Sequence, residues 1–312
     1  MWFGIWIGVA LLVSESSWRK PLLAVAAAGA IAAVWAVTLG PLRGHLDRMD
    51  ASWASAMAGK DYIFPSDWSA SFWLVNLSYL AVAIAIHAFR RRRGVALARE
   101  TGLLAGGAAL VAVFLISWPL MTAGVALALQ LQTSRVFWML DFLAAIYLAW
   151  LFAEAPRSMT VRRAAVALVV AAAIARGVFV WHVEHAGNPI VRIGFPQDNW
   201  TDVMKWIAQT PADTHVLADP GHAWKYGSSV RVVGERDVYV EEVKDLALAL
   251  YSRAVATEAM RRLNDIRDFD SFTPGDLRAL AARYDLDFLV AERDVDLPVA
   301  YRNDQFRVYS LK

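Results

Sequence analysis

Residues 102–121 read GLLAGGAALVAVFLISWPLM, twenty consecutive residues without a charge. A helix rising ~1.5 Å per residue needs about twenty apolar residues to cross a hydrocarbon layer ~30 Å thick. The stretch therefore predicts a membrane-spanning helix. Outward from it, the same rule predicts spans at 21–40, 69–89, 136–153 and 164–182. A sixth run, residues 2–13 (WFGIWIGVALLV), is apolar but short. It lacks the basic flank and small-residue cleavage site of a signal peptide, so it is read as a short first span.

Composition agrees. The 312 residues are 58% hydrophobic and 19% charged, with a mean hydropathy of +0.39, whereas soluble domains carry about 25% charged residues. Residues 1–182 hold 15 Lys/Arg and 8 Asp/Glu, and residues 183–312 hold 16 and 21, so the parts carry +7 and −5 and face different surroundings. Eleven of the 14 tryptophans precede residue 183. Trp18, Trp68, Trp118 and Trp181 stand at the edges of apolar runs, as membrane-interface indoles do. With no cysteine, disulfides, thiolate metal sites and cysteine nucleophiles are excluded.

Basic residues near spans are retained on the cytoplasmic side. Arg19-Lys20, then Arg90 to Arg93 with Arg99, then Arg157, Arg162 and Arg163 mark three loops separated by two spans each. Placing all three in the cytoplasm puts connections 41–68 and about 121–135, and everything after Trp181, outside. It also puts the N-terminus outside, before a span too short for a bilayer. Two explanations stay open: the chain begins inside a longer protein, or the first segment is re-entrant or interfacial.

The predicted fold is an α-helical polytopic membrane domain of about six spans, residues 1–182, followed by a small exported α/β domain, residues 183–312. In the latter, helices are predicted at 199–209, about 243–264 and 274–284. Thr273-Pro274-Gly275-Asp276 supplies a hydroxyl cap, a first-turn proline and a first-turn acid. Strands are predicted at 215–218, 230–233, 238–240, 288–291 and 306–309.

Candidate chemistry concentrates in the two outward connections. Loop 41–68 carries His45, Asp47, Arg48 and Asp50 among aromatics. A carboxylate there is placed to act as a general base toward an acceptor hydroxyl, or to hold a divalent cation, the one cofactor left open, against a lipid phosphate. Equally, these acids fit a solvated interfacial loop. The second connection leads through Gln132 and Arg135 into the span carrying Asp141. A guanidinium near the surface suits a phosphate, and an acid at membrane depth is a candidate by default; the alternatives are snorkelling to headgroups and a bond to a neighbouring helix. Arg135 and Asp141 are six residues apart, on different helix faces. In the C-terminal part, His222 and Lys225 follow a strand in Asp219-Pro220-Gly221-His222-Ala223-Trp224-Lys225-Tyr226-Gly227 and are candidates for an anionic ligand; a turn with a packed tryptophan is the plainer reading. The Arg90–Arg93 run is accounted for by topology rather than nucleic acid. No recognised metal-motif spacing, glycine-rich phosphate loop or internal repeat is present.

The phrase Trp200-x5-Trp206-Ile207-x2-Thr210-Pro211-Ala212-Asp213, with Arg283 to Val290, Leu297-Pro298 and Phe306 to Tyr309, resembles the C-terminal region of bacterial membrane proteins related to the C-type glycosyltransferases. The resemblance covers residues from about 196 to 312. It implies a multi-pass protein of the bacterial inner membrane, an active site at the outer face, a polyprenyl-phosphate sugar donor and a catalytic aspartate in the first large outward loop. Here that loop offers Asp47 and Asp50. Arg135 with Gln132, or His45 with Arg48, would then bind the donor phosphate. Trp224-Lys225-Tyr226-Gly227 is loosely similar to an oligosaccharyltransferase motif whose aspartate is missing, so no role carries over. The alternative is a non-enzymatic membrane-anchored binding or scaffold protein. Membrane lipid is the one partner the composition requires; the oligomeric state is left open.

Overall fold

The computed structural model describes residues 1–156, 158–184, 191 and 193–312; the topological marker Arg157 lies outside them. Two compact units emerge: Met1–Met49 with Gly59–Asn188, and Asp50–Ala58 with Pro189–Lys312.

The first unit is helical. Its helices are α1 (Trp2–Ser14), α2 (Arg19–Thr38), α4 (Ala70–Arg92), α5 (Glu100–Thr122), α6 (Ala126–Gln130), α7 (Val136–Glu154) and α8 (Met159–Phe179), while α3 (Ala51–Ser55) belongs to the other unit. Among the described residues, five stretches are long and apolar enough to cross a membrane: Ser16–Thr38, Ala70–Arg92, Glu100–Thr122, Ala126–Glu154 and Met159–Glu184. The short α1 of 13 residues is a further apolar helix.

What holds α1 is a pair of glycines. A Cβ built on Gly102 would lie 2.5 Å from Ala10 O, and one on Gly106 would lie 2.5 Å from Trp6 O. Only a residue without a side chain lets the backbones approach so closely. Trp6 Nε1 then donates to Leu103 O at 2.7 Å. Between α4, α5 and α7, Leu110, Phe114, Phe137, Leu140 and Tyr147 are fully buried or nearly so. The rings of Trp68, Trp73, Phe114 and Phe137 close this core, with Trp68 stacked on Phe114 at 5.7 Å. No residue of α2 or α8 is buried against the rest of the unit.

The second unit carries a five-stranded sheet in the order β2-β1-β3-β5-β4, formed by β1 (His215–Leu217), β2 (Asp237–Val238), β3 (Phe288–Ala291), β4 (Val299–Arg302) and β5 (Arg307–Ser310). Strands β2, β1 and β3 run parallel, and β5 pairs antiparallel with both β3 and β4. The period-two alternation of side chains sends Val216, Val290 and Val308 to one face, against Val203, Met204 and Ile207 of α9 (Asn199–Ile207). It sends Leu217, Leu289 and Tyr309 to the other, with Leu277 and Leu280 of α13 (Pro274–Tyr284). Between them in sequence lie α10 (His222–Lys225), α11 (Glu242–Ala249) and α12 (Arg253–Asp265). Thr273 caps α13 as expected, and the Asp276 side chain in turn accepts from the Thr273 backbone N–H, which makes the cap reciprocal.

Two predicted elements are corrected and one strand is added. Val230 to Val233 is not a strand. Ser229 accepts a bond from Arg231 N, and a wide helical turn runs Val230–Gly234 to a left-handed Glu235. The predicted 243–264 helix is two, because the chain breaks between Ala249 and Arg253 and restarts under a new cap, Ser252. Strand β4 was not foreseen: it is short and largely exposed, so it lacks an apolar signature. The partition also differs from a cut at 182/183, since Asp50–Ala58 packs with the C-terminal unit. Trp53 of α3 is buried there and donates Nε1–H to Ala249 O at 2.7 Å.

Candidate functional site

The two connections predicted to carry the chemistry are joined within the first unit. Met49 N donates to Gly124 O (2.8 Å), Ala126 N to Asp47 O (2.9 Å) and Leu127 N to His45 O (2.6 Å), so Arg48 and Val125 pair as an antiparallel bridge. His45 Nδ1–H donates to Gln130 Oε1 at 2.5 Å. Ser134 Oγ donates to Tyr62 O, and the Arg135 guanidinium sits 5.3 Å from the Tyr62 ring and 5.4 Å from that of Trp138. These contacts make a braced platform at one end of the bundle: His45 and Gln130 are tied together, Arg48 and Arg135 are exposed, and the Asp47 side chain is solvent-facing. Gln132, left-handed at φ 49°, turns the chain into the segment bearing Arg135. Asp141 is exposed on α7 one turn below Trp138, apart from the platform's contacts.

Asp50 is placed differently from Asp47. It caps α3, accepting from Trp53 N (2.8 Å) and Ser52 Oγ (2.7 Å), and it accepts from Arg253 Nε at 2.6 Å. The Ser52 hydroxyl, then the Trp53 amide and Arg253, hold its carboxyl down to about 2. A carboxylate so stabilised is a poor proton acceptor near neutral pH. The structure therefore gives Asp50 a structural post and leaves Asp47 as the platform's carboxylate.

His222 is fully buried. Its Nδ1–H donates to Asp219 O at 2.7 Å, and Nε2 accepts from Val230 N at 3.3 Å. Burial pushes its titration down, and the neutral ring braces the loop after β1 instead of meeting a ligand. Lys225 is half exposed and lies near Asp219 and Glu292; the adjacent Tyr226 hydroxyl, then Asp219, hold its ammonium above the usual lysine value. Among the described residues, no three His, Cys, Asp or Glu side chains gather to hold a metal ion.

A charged cluster at the other end of the same bundle escaped the sequence reading. Arg90 and Glu100 are only 2% and 3% exposed. Glu100 Oε1 accepts from Arg90 Nη2 (3.0 Å) and Leu97 N (2.6 Å); Oε2 accepts from Arg90 Nε (3.2 Å), His87 Nδ1 (3.0 Å) and Tyr147 OH (3.3 Å). Arg90 also pairs with Glu154 and lies 4.2 Å from the Trp150 ring centre. The cluster pins α4, α5 and α7 together at one end. A signal existed: Glu15, Glu100 and Glu154 are the acids beside the basic loops, and each meets an arginine, Glu15 through Arg99 at 2.7 Å.

No protein-family model, curated protein or solved structure matches the chain.

Proposed function

We propose that this multi-pass membrane protein binds a phosphate-bearing membrane lipid at the platform formed by its two paired connections, and that the lipid is a polyprenyl-phosphate sugar whose sugar is transferred at the extracytoplasmic face. The observation that carries the reading is the Arg48–Val125 bridge with the His45–Gln130 bond. It fixes two loops distant in sequence together, with Asp47 and Arg48 exposed on one and Arg135 exposed on the segment that follows the other. Guanidinium groups grip phosphate in a fork, and pairing the loops in advance reduces the ordering cost of binding. In this reading Arg48 and Arg135 hold the phosphate, His45 and Gln130 orient the platform, and Asp47 accepts the acceptor hydroxyl's proton as that oxygen bonds the anomeric carbon and the bond from that carbon to phosphate oxygen breaks, releasing polyprenyl phosphate.

The test is binding of undecaprenyl phosphate against undecaprenol by the full chain in nanodiscs. The phosphate should bind at least about tenfold tighter, and Arg48→Ala with Arg135→Ala should remove that preference. Equal binding of the alcohol would sink the reading. With a polyprenyl-phosphate sugar supplied, release of the sugar should vanish in Asp47→Asn. A second reading, a membrane-anchored binding protein without transferase activity, is supported by the structural post of Asp50. It predicts lipid binding or none, and no sugar release under any condition.

A further inference from the structure

A crevice of about 290 Å³ opens in the second unit at the carboxyl ends of β1 and β3. From β1 the chain goes to β2 on one side of the sheet; from β3 it goes toward β4 and β5 on the other. Where parallel-strand connections part in this way, no loop closes over the strand ends, and open α/β sheets bind their ligands there. The floor is apolar, with Trp200 and Phe306 buried and Val290 beside them. The rim is charged: Asp219 follows β1, Glu292 follows β3, and Asp270 and Lys225 face them. Arg293, also on the lining, directs its guanidinium to the Phe269 and Phe272 carbonyls. Three rim carboxylates thus face one ammonium.

That ammonium is itself informative. Lys225 Nζ lies 3.3 Å from Asp219 Oδ2, 3.4 Å from Glu292 Oε2 and 5.2 Å from the Tyr226 ring centre. Two carboxylates and an aromatic face are the elements that recognise an ammonium group. Both distances exceed the ~2.7–2.9 Å of a well-formed ammonium–carboxylate bond, so neither carboxylate grips the lysine closely, and its remaining hold is the hydroxyl of the adjacent Tyr226. The carboxylates follow the ends of β1 and β3, whereas Lys225 is carried by a helix of four residues and is half exposed.

We propose that the crevice is a binding site for a small primary-ammonium ligand, whose nitrogen takes the place of Lys225 Nζ between Asp219 and Glu292 while the lysine turns out to solvent. Lys225 is then an internal stand-in that competes with the ligand. The proposal is independent of the lipid-phosphate reading, since it concerns other residues in the other unit.

The matched probes are glucosamine and glucose, which differ in one ammonium for one hydroxyl. Binding is measured by ligand-detected NMR on the full chain in phosphatidylglycerol nanodiscs. Glucosamine should bind saturably and glucose should not. Lys225→Met should tighten glucosamine by about tenfold, because the competitor is gone. Glu292→Gln and Asp270→Asn should each weaken it. Equal binding of the two sugars, preference for glucose, no binding of either, or weaker glucosamine binding in Lys225→Met would overturn the proposal. If Lys225→Met does not fold, Lys225→Gln carries the same prediction. Repeating the titration in discs half composed of phosphatidylethanolamine distinguishes the source. Competition identifies the ammonium as a lipid headgroup and unchanged binding identifies a water-soluble amine, and either result sustains the site.

Discussion

Asp50 and Glu100 show two ways in which a carboxylate of this chain is committed. Asp50 is a cap and an ion-pair partner at once, so its variants separate the roles. Asparagine caps nearly as well as aspartate but cannot pair with Arg253, and alanine does neither. Thermal unfolding of the second unit should rank wild type above Asp50→Asn and Asp50→Ala lowest. Because the folded carboxyl is held to about 2, below the ordinary 3.8, its contribution is complete above the ordinary value and is lost as pH falls from about 4 toward 2. Acid titration of stability should show that loss in wild type and a flatter curve over the same window in Asp50→Asn. Glu100 is buried with Arg90. Removing it leaves a buried cation with fewer partners, which costs roughly 3–5 kcal/mol; the thermal midpoint of Glu100→Ala should fall accordingly, and Arg90→Met with Glu100→Leu should recover part of it. The Asp50 post had no signal in the sequence, and the one for Glu100, an acid beside a basic loop, was masked. Asp50 stands in a polar loop like Asp47, and only the partner 203 residues away separates them. Arg90 stands in a basic run whose topological role hid its single buried member.

At the scale of elements, what was local in sequence was readable. The α13 start at Thr273 was visible because its cap, proline and acid lie within four residues. The long apolar runs were visible because hydrocarbon sets their length. Val230 to Val233 misled because β-branched residues favour strands, yet Ser229 and the packing of Gly234 against Ile207, 3.2 Å from its would-be Cβ, bend the segment into a turn. The contact of α1 with α5 was hidden in a run valued only for hydropathy. It yields a prediction with its own control. Gly106→Ala places a methyl against the Trp6 backbone and should lower the thermal midpoint in detergent, an overpacking cost of roughly 1–3 kcal/mol. Gly107→Ala, one residue along, meets its nearest neighbour, Leu140 Cδ2, at 3.2 Å. That flexible side-chain end can yield, so the midpoint should move far less. Equal losses at the two glycines would mean that α1 does not approach α5 as closely as these distances require.

For the whole molecule, the consequential fact is that the C-terminal unit is discontinuous. Residues 50–58 leave a connection between two predicted spans and complete that unit, burying Trp53 against α11 and α12. No periodicity or motif announces such an exchange, because neither piece is unusual where it stands in sequence. The arrangement makes the polypeptide's continuity near residues 193–195 dispensable for holding the unit together. Ile193 and Phe195 are well exposed, so a specific protease site introduced there should be cut in the folded protein. After cutting, the 196–312 piece should stay with the membrane piece through buried Trp53, its bond to Ala249 and the Asp50–Arg253 pair. Burying a tryptophan is among the larger single contributions a side chain makes, and truncating one to alanine typically costs 3–5 kcal/mol. Trp53→Ala combined with Asp50→Ala should therefore release the cut piece on washing, while the same double variant left uncut stays whole. Retention of the cut piece by the double variant would show that other contacts hold it, and immediate release from the wild type would show that the 50–58 segment does not.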